Sequence, residues 1–180
     1  MMQTVESWSG RRAAVPAFEE YAAVAWPALY RSAYLLSGNH ADAEDLAQQT
    51  MVKAYRSWSR VQASDTPAAY LRSMLVNTYL SHRRPKKRRL EVLTDALPEP
   101  RLDSGGGLEE RMSLWPHVKL LPPRQRAVVV LRYYEDLTEQ EIAEALGCSR
   151  GTVKSTAHRA LKTLRAALET ERTGNHGKEG

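Results

Sequence analysis

Thr138-Glu139-Gln140-Glu141-Ile142-Ala143-Glu144-Ala145-Leu146-Gly147-Cys148-Ser149-Arg150-Gly151-Thr152-Val153-Lys154-Ser155 reads as a short acidic helix, a three-residue turn and a basic second helix. Thr138 and Glu141 have capping-box spacing, which satisfies orphan N–H groups and sets the start of the first helix. Gly147 stands where that helix must stop, because glycine adopts positive φ at little cost. Ser149 then caps the second helix. In that helix Val153, Ala157, Ala160, Leu161, Leu164 and Leu168 recur at helical spacing and predict one buried stripe. The opposite face carries Arg150, Lys154, His158, Arg159, Lys162 and Arg165, with no Asp or Glu between Ser149 and Leu168. The preceding helix and its approach hold Glu135, Asp136, Glu139, Glu141 and Glu144, so the module is not uniformly basic. A helix presenting only cations suits a groove walled by phosphates, whereas a merely solvated face would mix both signs. The pattern is that of a helix-turn-helix that reads DNA.

Outward from this motif, 180 residues allow one ordinary domain or two small ones, and a formal net charge of +5 suits a polyanionic partner. Cys148 is the only cysteine, so an internal disulfide and a thiolate-rich zinc site are both excluded. It fits a small buried turn residue. No apolar run approaches the roughly 20 residues that span a bilayer. Met1 to Pro16 has no apolar core of a secretory signal, so the expected location is the cytoplasm, with no membrane insertion.

The rest of the chain is read as helical throughout, since β-branched alternation is absent. Phe18 to Leu36 keeps a helical beat, and Pro27 either kinks that segment or divides it. A second helix is expected from Ala41 to Trp58, burying Leu46, Met51, Ala54, Tyr55 and Trp58. Ser59 to Thr66 reads as a polar loop. Pro67 suits the first turn of a third helix ending near His82, with Leu71, Met74, Leu75 and Thr78 inward. From Pro85 to Leu108 the apolar period is lost and Pro98, Pro100 and Gly105-Gly106-Gly107 appear, which predicts a linker. Helix resumes over Glu109 to Leu120 and again over Arg124 to Tyr134, punctuated by Pro122-Pro123.

The fold class is therefore all-α: two small helical domains joined by a flexible linker. The expected plan is an unstructured N-terminus over 1–15, a first module over 16–84, the linker over 85–108, a second module over 109–172 and a tail over 173–180. Modules this small bury a low fraction of their surface and gain stability from partners.

Leu120-Leu121-Pro122-Pro123-Arg124-Gln125-Arg126-Ala127-Val128-Val129-Val130-Leu131-Arg132-Tyr133-Tyr134-Glu135-Asp136-Leu137, followed by the helix-turn-helix, resembles region 4 of extracytoplasmic-function sigma factors. Asp42-Ala43-Glu44-Asp45-Leu46-Ala47-Gln48-Gln49 and Tyr70-Leu71-Arg72-Ser73-Met74-Leu75-Val76-Asn77-Thr78 resemble region 2 of that family. The likeness is greatest to its short actinobacterial type. It implies a protein that is not an enzyme and needs no cofactor or metal. Such a protein binds core RNA polymerase, directs it to promoter DNA and is held in check by an anti-sigma factor.

The same resemblance assigns roles. Asp45, Gln48 and Gln49 would dock on core polymerase, where the family often has Glu in place of Gln49. From the residues alone, Asp42, Glu44 and Asp45 fit either a protein-facing patch or an acidic first turn complementing the macrodipole. Asn77 matches the position that contacts an extruded base of the −10 element, and its amide can both donate and accept on a base edge. Trp58, Arg83 and Arg84 join that −10 set, the arginines opening a basic run suited to phosphates. Trp58, Tyr70 and Tyr79 offer stacking surfaces, while Tyr55 is assigned to the core. For the −35 element the set is Arg124, Arg150, Thr152, Lys154, Ser155, His158 and Arg159. Lys154, Ser155, His158 and Arg159 share one strip. Arg124 would anchor a phosphate, and His158 departs from the Arg or aromatic residue common there.

Two elements some 16–19 base pairs apart lie about 55–65 Å from one another at about 3.4 Å per step. A single globule of this length, roughly 30–35 Å across, is too small to cover both. The alternative, a conventional helix-turn-helix regulator working outside polymerase, explains the C-terminal half but not the second likeness. A nucleic-acid enzyme using Asp42, Glu44 and Asp45 as metal ligands lacks a second acidic cluster or a P-loop.

Overall fold

The computed structural model describes residues 17–82 and 108–175. The N-terminus over 1–15, the linker up to residue 107 with Arg83 and Arg84 before it, and residues 176–180 lie outside the described residues. Two helical lobes are seen. The first comprises α1 (Phe18–Ser37), α2 (His40–Arg56), α3 (Trp58–Ala63) and α4 (Pro67–His82). The second comprises α5 (Leu108–Val118), α6 (Pro123–Val129), α7 (Glu139–Leu146) and α8 (Arg150–Asn175). α6 widens into a π-helical stretch over Val130–Tyr134 before the acidic turn. No strand occurs among the described residues, in keeping with the all-α expectation.

The breaks between helices follow local chemistry. Gly38 takes φ 87° and donates its N–H to the Tyr34 carbonyl, which ends α1 in a left-handed cap. One residue later the Asn39 side chain accepts the Asp42 N–H at 2.9 Å and starts α2. So short a connection folds α2 back along α1. Leu29, Ala33 and Leu36 of α1 then share a core with Ala43, Leu46, Ala47 and Met51 of α2 and Leu71, Leu75 and Val76 of α4. In the second lobe Val128, Val130 and Leu131 meet Ile142 and Leu146 of α7 and Val153, Ala157, Leu161 and Leu164 of α8. Each such aliphatic side chain, fully buried, contributes about 1.5–3 kcal/mol.

These two cores are continuous, because the lobes are docked. α4 lies along α7, and α1 approaches α6 and its π-helical extension. Arg72 Nε donates to Glu135 Oε2 at 3.1 Å across the boundary, and the Glu135 side chain is only 7% exposed. The second crossing point is Arg126, which is 6% exposed. Its Nη1 donates to the Leu36 and Ser37 carbonyls at 2.9 and 3.3 Å, and its Nη2 to the Lys119 and Leu121 carbonyls. Leu36 and Ser37 end α1, and Lys119 follows α5. One guanidinium thus binds the C-terminal end of α1 in the first lobe and the turn that follows α5 in the second. The Leu36 and Ser37 carbonyls lie in the last turn of α1, at the negative pole of its macrodipole.

Several expectations are corrected. The two expected helical domains are present, and they pack against one another rather than standing apart, since Arg126 and the α4–α7 contact bind them directly; the connector lies outside the described residues. Ser59–Thr66 is not wholly loop: Trp58–Ala63 forms a helix anchored by the fully buried Val61. Pro27 does not divide α1, for it lies on an exposed face where the missing hydrogen bond can be replaced by water. Tyr55 is not core but 61% exposed, resting edge-on against Phe18 with ring centroids 5.1 Å apart. Met74 and Leu168 are half-buried at the borders of their stripes, and Cys148 is half-buried in its turn.

Replacing Arg126 with Met keeps the bulk but leaves four carbonyls without their donor. Urea unfolding should show a loss of about 2–3 kcal/mol. A loss below about 0.5 kcal/mol, the level of an ordinary surface change, would contradict the bridging role.

Candidate nucleic-acid interface

The helix-turn-helix is assembled from local bonds. The Thr138 N–H donates to Glu141 Oε2 at 2.8 Å, its hydroxyl donates to the same oxygen at 2.7 Å, and the Glu141 N–H returns to Thr138 Oγ1 at 3.3 Å. The expected capping box is therefore present. Gly147 takes φ 59° and closes α7, as its position in the sequence required. Ser149 Oγ accepts the Thr152 N–H at 3.1 Å and starts α8. Asp136, in the turn before α7, holds φ 54°, which short polar side chains tolerate better than others.

On α8 the buried residues Val153, Ala157, Ala160, Leu161 and Leu164 turn inward, as their spacing predicted. Arg150, Lys154 and Arg159 are exposed, and Thr152, Ser155 and His158 are half-buried beside them. Docking of the lobes leaves this cationic face open to solvent. Ser155 Oγ donates to the Thr152 carbonyl at 3.1 Å, so its lone pairs are available to a donor. The Thr152 hydroxyl lies 2.9 Å from Ser149 Oγ and belongs to the cap. Nδ1 of His158 is buried without a hydrogen-bond partner, which leaves the far edge of the ring as its accessible part. Arg124, in the first turn of α6, is half-buried with an unpartnered Nε.

An acid from α7 reaches this basic face. Glu139 opens α7 and its side chain is 17% exposed. Oε1 lies 3.4 Å from Arg132 Nη1, while Oε2 faces Arg150 Nη2 at 3.8 Å and Lys154 Nζ at 3.7 Å. Nothing local in the sequence shows that a helix-initial glutamate meets residues 11 and 15 positions later.

The first lobe offers two further surfaces. Asn77 is exposed on α4 and borders a groove of about 290 Å³ with Lys53, Tyr70, Ser73, Met74, Thr78 and Ser81. Lys53 Nζ donates to Thr78 Oγ1 at 2.9 Å, which fixes an ammonium at the wall of that groove. Trp58 stands elsewhere, half-buried with ring centroids 5.4 Å from Phe18 and 5.2 Å from Tyr21. Tyr79, at 3% exposure, belongs to the core rather than to any stacking surface. Asp45 and Gln48 are exposed and Gln49 half-exposed on α2. Gln48 Nε2 donates to Glu44 Oε1 at 3.2 Å along the same helix. No cluster of three potential metal ligands occurs among the described residues, and no described helix is long and apolar enough to cross a membrane.

Comparison with known proteins finds sigma-70 region 2 matching residues 26–89 and sigma-70 region 4 matching residues 118–164. The RNA polymerase sigma-E factor of Streptomyces avermitilis is 42% identical over 154 residues, 85% of this chain and 86% of that protein. The ECF RNA polymerase sigma factor SigL of Mycobacterium tuberculosis is 32% identical over 157 residues, 84% and 86% of the two chains. Among solved structures, the sigma factor RpoE of Bartonella quintana, in complex with the anti-sigma factor NepR, is similar at TM-score 0.60 and 26% identity. That match covers 84% of this chain and 96% of that one.

The capping box carries a pH signature. The Thr138 hydroxyl, then its backbone N–H, holds the Glu141 carboxyl below the ordinary glutamate value of 4.5. A depressed folded pKa contributes stability that is complete above the unfolded value and is lost as pH falls through the folded one. Glu141→Gln should therefore flatten the decline in melting temperature below about pH 4.5 relative to the parent. Parallel acid limbs for the two proteins would contradict this.

Proposed function

Because the chain belongs to the sigma-70 family of RNA polymerase initiation factors, in its extracytoplasmic-function branch, we propose a specific division of labour among its surfaces. Promoter-specific initiation is the activity of the whole. In this reading Lys154, Ser155, His158 and Arg159 enter the major groove at the −35 element, with Arg150, Thr152 and Arg124 serving the phosphates and the helix start. Asn77 takes an extruded −10 base in the groove beside Lys53, and Arg83 and Arg84 hold the adjoining backbone. Asp45, Gln48 and Gln49 meet core RNA polymerase. The protein carries out no bond-making chemistry, needs no metal or cofactor, and works in the cytoplasm where polymerase is.

What supports the −35 assignment is the exposed cationic strip of α8, which remains uncovered although the lobes are docked. Guanine O6 and N7 accept from Arg or Lys, each good pair contributing roughly 1–3 kcal/mol of discrimination. The docked form is the free form in this reading. Elements about 55–65 Å apart at about 3.4 Å per step exceed the reach of one compact body, so the lobes part on polymerase. The RpoE structure was solved with an anti-sigma factor, and by that analogy this chain also has an anti-sigma partner. A regulator working outside polymerase would leave the region 2 match, 64 residues long, without a task.

Abortive transcription with purified core polymerase tests the reading directly. Addition of the chain should confer initiation at promoters selected by the resulting holoenzyme, and a failure to do so would refute it. Asp45→Ala should weaken core capture about ten-fold, at the usual scale of one lost polar hot spot. Asn77→Ala should reduce permanganate reactivity of −10 thymines while leaving closed-complex binding within about two-fold; normal melting would remove the base-capture role.

A further inference from the structure

The −35 face is not built from cations alone. We propose that Glu139 is a positioning residue for the −35 reader: a single carboxylate, placed at the start of α7, that aims Lys154 and restrains the non-specific attraction of α8 for DNA. The inference rests on the assignment of α8 as the −35 reader and adds a residue outside that helix.

The argument begins with α8 itself. Its first turns carry Arg150 and Lys154, four residues apart, and no acid follows until Glu169. Like charges at that spacing repel, and both cations stand at the positive pole of the helix macrodipole. Left to these forces alone, the two long side chains would fan apart into solvent. Glu139 supplies the missing counter-charge. Its oxygens divide the work: Oε1 is held by Arg132 at 3.4 Å, and Oε2 faces Arg150 at 3.8 Å and Lys154 at 3.7 Å. Arg132 is itself fixed, with its guanidinium carbon 5.6 Å from the centre of the Tyr133 ring. The carboxylate is therefore anchored from behind and acts forward.

At 3.7–3.8 Å the forward contacts are ion pairs without hydrogen bonds, and both cations remain more than half exposed. Pairs of this kind add little stability. They do set direction, since the attraction falls with distance and favours side-chain rotamers that lean toward α7. The same negative charge lies beside the surface that phosphates approach. It opposes binding to any duplex, and a base-specific hydrogen bond from an aimed ammonium is not opposed in the same way. Selectivity rises through both effects.

The test uses the full chain assembled with core polymerase, on a promoter selected by the parent holoenzyme and on the same DNA with its −35 element scrambled. Glu139→Gln keeps an acceptor for Arg132 but removes the charge facing Arg150 and Lys154. It should lower the ratio of the two affinities about five-fold. It should also steepen the dependence of log affinity on log salt by about 0.9, one phosphate equivalent. Glu139→Asp, which keeps the charge, should recover most of the ratio. If Glu139→Gln leaves ratio and slope at parental values while Lys154→Ala lowers the ratio, the inference is overturned and α8 remains the reader. If Lys154→Ala changes nothing, the −35 assignment itself fails and the inference falls with it. A role confined to the α7 macrodipole would lower the melting temperature of Glu139→Gln without moving the ratio, and that result also overturns the proposal.

Discussion

A guanidinium with four carbonyl acceptors, two from the end of α1 and two from the turn after α5 in the other lobe, is the constraint on which the architecture rests. Burying a charge is costly unless it is paired or fully hydrogen-bonded. Arg126 offsets part of that cost by donating from both terminal nitrogens to backbone carbonyls. Helix α1 meanwhile presents orphan carbonyls at its C-terminus that something must satisfy. The arginine and the helix end thus offset one another's costs. Gly38 belongs to the same arrangement. A Cβ there would stand 3.4 Å from the Lys119 side chain, and the left-handed φ of 87° would be strained for other residues.

This contact is polar and directional, and that matters for movement. If the lobes part as proposed, the Lys119 and Leu121 carbonyls remain within the second lobe and keep their donor. The bonds to Leu36 and Ser37 are then exchanged for water, which replaces them at modest net cost. The Arg72–Glu135 pair is similar, with a half-exposed arginine that water can reach. A boundary of this kind can be tight in the free chain yet reversible. Inter-domain interfaces are ordinarily more polar than domain interiors for the same reason.

The helix-turn-helix was legible because its information is local. Thr138 and Glu141, Gly147 and Ser149 interact with atoms within four residues, so spacing alone specified their bonds. The buried stripe of α8 followed from the helical period in the same way. Tyr55 was misread because helical spacing cannot tell an aromatic at the edge of a stripe from one at its centre. The turn of helix at Trp58–Ala63 was missed because its one buried anchor, Val61, stands among polar neighbours. Docking of the lobes was illegible for a different reason. Arg126 lies in step with Val129, Val130 and Tyr133 on an otherwise apolar face, which marks it as unusual. Its partners across the boundary, however, are backbone carbonyls some ninety residues away, and carbonyls have no letter in a sequence. The contacts of Glu139 with Arg150 and Lys154 are equally illegible, since they depend on how α7 and α8 cross.

The charge pattern explains why such a protein needs a larger machine. A uniformly cationic module of this size would adhere to any duplex, because phosphate contacts supply affinity without sequence information. Here Glu139, Gln140, Glu141 and Glu144 line the helix next to the reader, and their bonds are made among themselves or with caps rather than with the cations, Glu139 excepted. On the proposed assignment the second lobe alone binds DNA weakly, and the first exposes acids on α2. Linking weak contacts on one scaffold raises the effective concentration of each for its target. The three surfaces then become selective together, for only a site that offers both elements at the correct separation engages them all.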